Sequence, residues 1–374
     1  MRYFNYAGLT PARPEVVGAM DRAAETFGTL LFSESGIVWY RKQVEECSDE
    51  IAALLDIRLG QDGHSLLLCP NATSSARIVL SMLGLQSGDL VITSDHEHPS
   101  TLQALSGLRQ KGIGLKVIPA LSEGQFLAEV EEACRERTVR LLIQSHVAHS
   151  DGRVFPIQQI CEIAGRRDIM VAIDGAQAVG HIPVNVGALA VDFYYFSGHK
   201  WCAGPMGSGA LVITERYKRR AAWHETRRLE NGPSEDNLNL GTQNIGLIAG
   251  LGLACKLRRH EWPALSRLAE LRTLFSRRLS TIREMEITAW DGAQAPGILS
   301  FRVKKAGFDP TRMAAYLSNQ HGVVLKPIRY SGFTPMLRAS WSLTTQDPDI
   351  LFLAEKLEET LEQLPRHRAD ALEG

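Results

Sequence analysis

Two short stretches of this sequence carry reactive side chains of complementary kinds. The first, Val171-Ala-Ile-Asp-Gly-Ala-Gln-Ala-Val-Gly180, is an apolar run that ends in Asp174. The second, Phe193-Tyr-Tyr-Phe-Ser-Gly-His-Lys-Trp201, ends its run in Ser197 and passes directly into His199 and Lys200. In an open α/β sheet, ligands sit in the crevice beyond the carboxyl ends of the strands. If both runs are strands of one such sheet, a carboxylate, a hydroxyl, an imidazole and an amine face one crevice. Taken singly, Lys200 reads as a solvated lysine and Asp174 as a turn residue. Their joint order is what points to chemistry.

An amine bonds covalently to an aldehyde. A carboxylate beside a pyridine nitrogen favours its protonated form, because opposite charges stabilise each other. A protonated pyridine ring accepts an electron pair from a bound amino acid. A phosphate group needs hydroxyls and a helix N-terminus. Ser197 supplies one hydroxyl, and Asn71-Ala-Thr-Ser-Ser75 lies between a predicted strand and a predicted helix. The set therefore predicts pyridoxal-5′-phosphate (PLP) as the cofactor, held by Lys200.

The elements that must position these groups are legible as alternating patterns. Short apolar runs fall at Ser65–Cys69, Leu90–Thr93, Leu115–Ile118, Arg140–Gln144, Ile169–Ile173, Asp192–Phe196 and Gly209–Ile213, with helical segments such as Thr73–Leu83 and Gln125–Glu136 between them. Strands alternating with helices predict an α/β domain with a mostly parallel sheet. Continuous apolar runs fit strands buried on both faces. Beyond them, Leu265, Leu268, Leu271, Phe275, Leu279 and Ile282 recur at helical spacing. Short strands at Gly297–Val303 and Met336–Ser342 and helices at Pro310–Gln320 and Pro348–Leu361 then predict a smaller α+β domain. The expected division is 1–20, an irregular N-terminal segment packing with the small domain; 21–245, the large cofactor-binding domain; and 246–374, the small domain.

The 374 residues suffice for two cores, and the formal charge of −1 argues against a nucleic-acid or membrane-surface role driven by bulk charge. The longest apolar stretch, Ile245 to Cys255, is far short of the ~20 residues a membrane helix needs. No signal segment opens the chain, and six cysteines without CxxC spacing suggest reduced thiols, so a cytoplasmic location is expected. His96-Glu-His98 has no third ligand nearby in sequence and predicts no metal site.

Asp174-Gly-Ala-Gln177 followed by Ser197-Gly-His-Lys200 resembles the class V aminotransferase family of fold-type-I PLP enzymes. That family includes cysteine desulfurases, C–S lyases, isopenicillin N epimerase-like proteins and kynureninase. The likeness covers nearly the whole chain and takes in Tyr3-Phe-Asn-Tyr-Ala-Gly-Leu-Thr-Pro11, Glu97-His98, Gly241-Thr-Gln-Asn244 and Leu337-Arg-Ala-Ser340. The resemblance implies a large domain with a mostly parallel seven-stranded sheet. It makes Lys200 the Schiff-base lysine and proton shuttle, pairs Asp174 with the pyridine nitrogen, sets Gln177 on the phenolic oxygen and stacks His98 on the ring. It gives the phosphate to Thr73, Ser74, Ser197 and His199, and to Thr242 from a second subunit, which implies a homodimer with shared sites. Arg338 would clamp the α-carboxylate of an amino-acid substrate, with Asn5 and Tyr330 also at the substrate.

Two features depart from the family's common pattern. In His146-Val-Ala-His-Ser-Asp-Gly152, His149 stands where the family often has asparagine. It is either a substrate contact or acid/base group, or a packing replacement. The loop Lys326-Pro-Ile-Arg-Tyr-Ser-Gly-Phe-Thr-Pro-Met336 has no cysteine, and none follows Cys255. A desulfurase needs a thiolate there to carry sulfur. The expected reaction is therefore β-elimination from cysteine, cystine or an S-substituted cysteine. The alternatives are an aminotransferase or a decarboxylating or oxidative deaminase, then an epimerase or a non-catalytic PLP-binding protein. Substrate choice is expected to lie with the loops Phe32–Tyr40 and Trp223–Asn237 and the Tyr330 loop.

Overall fold

The computed structural model describes residues 1–60, 63–220, 241–304, 308–329 and 334–363. All seven apolar runs form strands of one sheet: β2 (Ser65–Cys69), β3 (Leu90–Ser94), β4 (Gly114–Ile118), β5 (Val139–Ser145), β6 (Met170–Asp174), β7 (Phe193–Ser197) and β8 (Gly209–Ile213). Their order is β2-β8-β7-β6-β5-β3-β4. β8 runs antiparallel to both neighbours, and the other pairs are parallel.

Side chains alternate between the two faces of a strand, and here both faces are buried. Val171, Ile173, Tyr194 and Phe196 pack into one core with helices α2 (Glu34–Leu55), α5 (Glu123–Ala133) and α6 (Ile157–Gly165). Ala172, Phe193 and Tyr195 pack into the other, against α3 (Ala72–Met82) and α4 (Pro99–Leu108). Covered faces explain why these strands read as unbroken apolar runs.

The small domain has a four-stranded sheet in the order β12 (Lys326–Ile328), β13 (Met336–Ser340), β10 (Ile298–Val303), β9 (Met285–Ile287). Its core gathers Leu268, Leu271, Phe275 and Leu279 from helix Ser266–Ser280 with Phe301, Leu337 and Trp341. The N-terminus joins it: β1 (Arg2–Tyr3) pairs with β11 (Val323–Val324), and Phe4 is buried in the same core.

Three expectations are corrected. Residues 14–20 are not irregular but open helix α1 (Pro14–Leu30), whose Pro14 stands in the first turn, where a missing N–H costs nothing. Helix Ile245–His260 packs against α1 and α2, and its Ile248, Leu251 and Cys255 enter the large domain's core. The boundary therefore lies after that helix, near 260, and not at 245. Finally, Phe32–Tyr40 is not a loop. Ser33 caps α2 by accepting the Gly36 N–H at 3.1 Å, and the helix runs from Glu34.

Candidate active site

Strands β3, β5, β6 and β7 are neighbours, so their carboxyl ends lie side by side. The segments that follow them, Asp95–His98, His146–His149, Gly175–Gln177 and Gly198–Lys200, must share one crevice. Asp174 is buried at the end of β6, and its carboxylate accepts the Ala176 N–H at 2.8 Å. Lys200 is half-buried at the end of the β7 turn. Burial pushes the Asp174 carboxyl up, while the Lys200 ammonium and the Ala176 N–H hold it down. Burial lowers the Lys200 amine; Asp174 pulls it back up and Arg338 pushes it down again. The two groups therefore sense each other's charge, as the sequence order implied.

The start of α3 lies against the end of β7. Ser197 Oγ accepts the Ala72 N–H at 2.9 Å, and Asn71 caps the helix by accepting the Ser74 N–H at 2.9 Å. His199 Nδ1 is buried and finds no partner among the described residues. Thr73 does not keep its hydroxyl proton for a ligand: it donates to Ser100 Oγ at 3.0 Å. Ser100 in turn sits 2.8 Å from His98 Nδ1.

His98 and His149 meet edge to face, with ring centroids 4.9 Å apart at 68°. Burial first, then the cations Lys200, Arg338 and Lys326, lower His98 to about 4. His149 is lowered too, by burial foremost. The His149 carbonyl accepts from the Arg338 guanidinium, whose other arm donates to Asn5 Oδ1 at 2.8 Å. Arg338, on β13, thus ties the small domain to the N-terminus and to the loop after β5. Asn5 and Arg338 come together as expected, and His149 joins them through its backbone.

Gln177 is held at both ends. Its Nε2 donates to the Ala7 carbonyl at 2.8 Å, and its Oε1 accepts the Trp201 indole N–H at 2.6 Å. Trp201 stacks on His181 with centroids 3.5 Å apart. Thr242 is not in this crevice within one chain. It is exposed on the turn before helix Ile245–His260, where neighbouring Gln243 donates to Leu68 on β2, two strands from β7. Tyr330 and Trp223–Asn237 lie outside the described residues.

Sequence reasoning gave no role to Glu97, Ser100, His181 or Trp201. Glu97 is buried; it accepts the Ser145 N–H and, at 3.0 Å, the Ser145 hydroxyl. Its signal was present in the Glu97-His98 pair, but only the fold shows that no solvent reaches it. Ser100 follows His98-Pro99, a pattern that marks a helix start.

These residues suit PLP. A carboxylate and an amine face each other at adjacent strand ends. A helix start, the Ser197 hydroxyl and the unpartnered His199 nitrogen form a place for an anion. Fold and site together define a PLP-dependent enzyme of fold type I. The family model for aminotransferase class-V matches residues 2–332. The chain belongs to the class-V aminotransferase family. It is 32% identical over 291 residues to the cysteine desulfurase IscS of Dictyoglomus turgidum, covering 76% of this chain and 69% of that one. It is 29% identical over 300 residues to the IscS of Serratia proteamaculans, covering 79% and 72%. Among solved structures it superposes on the cystine C–S lyase C-DES, in complex with its product cysteine persulfide, with a TM-score of 0.82, 22% identity and coverage of 96% and 97%. It superposes on a NifS-like protein from Rickettsia africae with a TM-score of 0.81, 19% identity and coverage of 97% and 99%.

Proposed function

We propose that this enzyme is a C–S lyase that eliminates the β-sulfur of cysteine, cystine or an S-substituted cysteine, leaving pyruvate and ammonia. One observation carries this reading. The lysine site is complete, yet all six cysteines are buried and none follows Cys255. A chain with no exposed late thiol has nothing on its own surface to receive sulfur from the substrate.

Bound PLP supplies the aldehyde that captures the amino acid and the ring that stores its electron pair. The chain's residues do the rest. Asp174 holds the pyridine nitrogen protonated, and Gln177, braced by Ala7 and Trp201, faces the phenolic oxygen. Ser74, Ser197, His199 and the start of α3 hold the phosphate, with Thr73 contributing through its hydroxyl oxygen. Arg338 binds the α-carboxylate through its planar fork, already oriented by Asn5 and the His149 carbonyl. Lys200, made less basic by burial, has its lone pair available to take the Cα proton. Loss of that proton lets the Cβ–S bond break, with its electron pair leaving on sulfur. Hydrolysis then yields pyruvate and ammonia.

The working unit is a homodimer. Leu31, Phe32 and Val38 are 62%, 63% and 63% exposed and lie at the α1–α2 junction. Clustered exposed apolar side chains suit a protein partner, and a second copy would also bring Thr242 to its neighbour's phosphate. No helix among the described residues is long and apolar enough to cross a membrane. Six thiols without a disulfide support a reducing compartment, the cytoplasm.

The test is holoenzyme incubated with cystine and a series of S-substituted cysteines, with pyruvate, free thiol and cofactor spectrum followed together. Stoichiometric pyruvate and thiol are expected. Accumulation of the pyridoxamine form without pyruvate would instead identify an aminotransferase. Alanine with protein-bound persulfide would identify a desulfurase.

A further inference from the structure

His98 is the N-cap residue of α4. Pro99 has no N–H, so Ser100 supplies the first backbone N–H of the helix that needs a partner. That N–H donates to His98 Nδ1 at 3.2 Å. The Ser100 hydroxyl lies 2.8 Å from the same nitrogen, and the Thr73 hydroxyl donates to Ser100 Oγ at 3.0 Å. A backbone N–H can only donate. Nδ1 must therefore accept, and the single proton of the neutral ring resides on Nε2. The hydroxyls then form an unbroken line of donors from Thr73 through Ser100 to Nδ1. In the opposite tautomer the Ser100 N–H would face another N–H, and a half-buried donor would be left without an acceptor.

We propose that Ser100, backed by Thr73, is a positioning residue that holds His98 as its neutral Nε2–H tautomer, so that His98 meets cofactor or substrate as a hydrogen-bond donor and not as a base. The surrounding charges agree. The positive end of α4 opposes a second proton on the ring. Burial does so most strongly, followed by Lys200, Arg338 and Lys326, which together bring the ring to about 4. The neighbouring carboxyl, Glu97, is turned to Ser145 and does not pair with the ring. His149, edge to face with His98, is itself lowered by burial and by the same cations. The inference rests on the PLP site and is independent of which substrate bond breaks.

The test is a long-range proton–nitrogen NMR correlation on holoenzyme carrying 15N-labelled histidine rings, without substrate. The His98 signals are assigned by their loss in His98→Gln. An unprotonated Nδ1 and a protonated Nε2 are expected, unchanged from pH 8 to pH 6. In Ser100→Ala, Nδ1 loses one donor, and the titration midpoint should rise by about one unit, the equivalent of one hydrogen bond. Ser100→Thr, which keeps the hydroxyl, should restore the parent midpoint. A proton on Nδ1 or an imidazolium at pH 6 in the parent overturns the proposal, and this readout needs no variant to fold. Unchanged His98 signals in Ser100→Ala overturn the role of the hydroxyl. Failure to release pyruvate would count against the lyase reading and leave these signals as the test of this one.

Discussion

Glu97 is placed where its charge is costly, and replacing it should make the protein more stable. Burial first, then the negative charge of Asp174, raises its carboxyl from 4.5 to about 8, against the hydrogen bonds from Ser145 and Ser94 that favour the anion. In the unfolded chain the group ionises at its ordinary value. A group whose folded pKa is raised contributes stability that is complete below the unfolded value, here 4.5, and lost as pH rises through about 8. Each unit of difference is worth ~1.4 kcal/mol. Relative to a neutral group of the same shape, Glu97 should therefore cost about 3 kcal/mol at pH 7 and about 5 kcal/mol above pH 8. Glu97→Gln is that neutral group. Its Oε1 can accept the Ser145 N–H, and its Nε2 can donate to the Ser145 hydroxyl. Urea unfolding of parent and variant, with equal cofactor loading, at pH 5, 6, 7 and 8 isolates the effect as a difference curve. Near-equal stability is expected at pH 5, with a gap in favour of the variant that widens toward pH 8. A gap that does not grow with pH, or a variant less stable than the parent at pH 8, refutes the reasoning.

Three further outcomes follow from the same geometry. Lys200→Ala should abolish turnover and prevent borohydride from fixing cofactor to the chain, read by mass spectrometry of the reduced protein; fixation at full yield would displace Lys200 from its assigned role. Gly180→Ala should lower the melting temperature, because Gly180 has φ +81° and a Cβ there would lie 2.9 Å from the Trp201 carbonyl carbon and oxygen. The backbone strain alone is about 1–2 kcal/mol, and the clash falls on the segment next to Lys200, so cofactor affinity measured by absorbance titration should weaken too. Arg338→Lys removes the planar fork, and KM for the amino acid should rise at least about tenfold, ~1.4 kcal/mol, with a smaller change in kcat; an unchanged KM would place the carboxylate elsewhere.

The large sheet was legible because its strands are buried on both faces and so read as continuous apolar runs. The crevice was legible because Asp174, Ser197, His199 and Lys200 sit directly at strand ends, where chain order alone dictates position. Helix α2 was not. Its buried residues after Gly36 begin only at Cys47, while its first half exposes Val38 and half-exposes aromatics. That half lacks the one-sided stripe by which a helix is recognised, and it was read as a loop. Helix Ile245–His260 was assigned to the wrong domain for a related reason. Its sequence shows an apolar helix but carries no mark of which core it enters.

By itself, the sequence determined the cofactor, the lysine that holds it and the absence of a late cysteine, since each depends on residue type and order along the chain. Only the tertiary structure decided the states of the groups around that lysine. Glu97 is a protonated acid because the fold buries it beside Asp174. The tautomer of His98 is set by a helix cap backed by Thr73, and Arg338 is oriented by Asn5 and the His149 carbonyl. Fields and hydrogen bonds depend on distance in space, and these partners lie far apart along the chain.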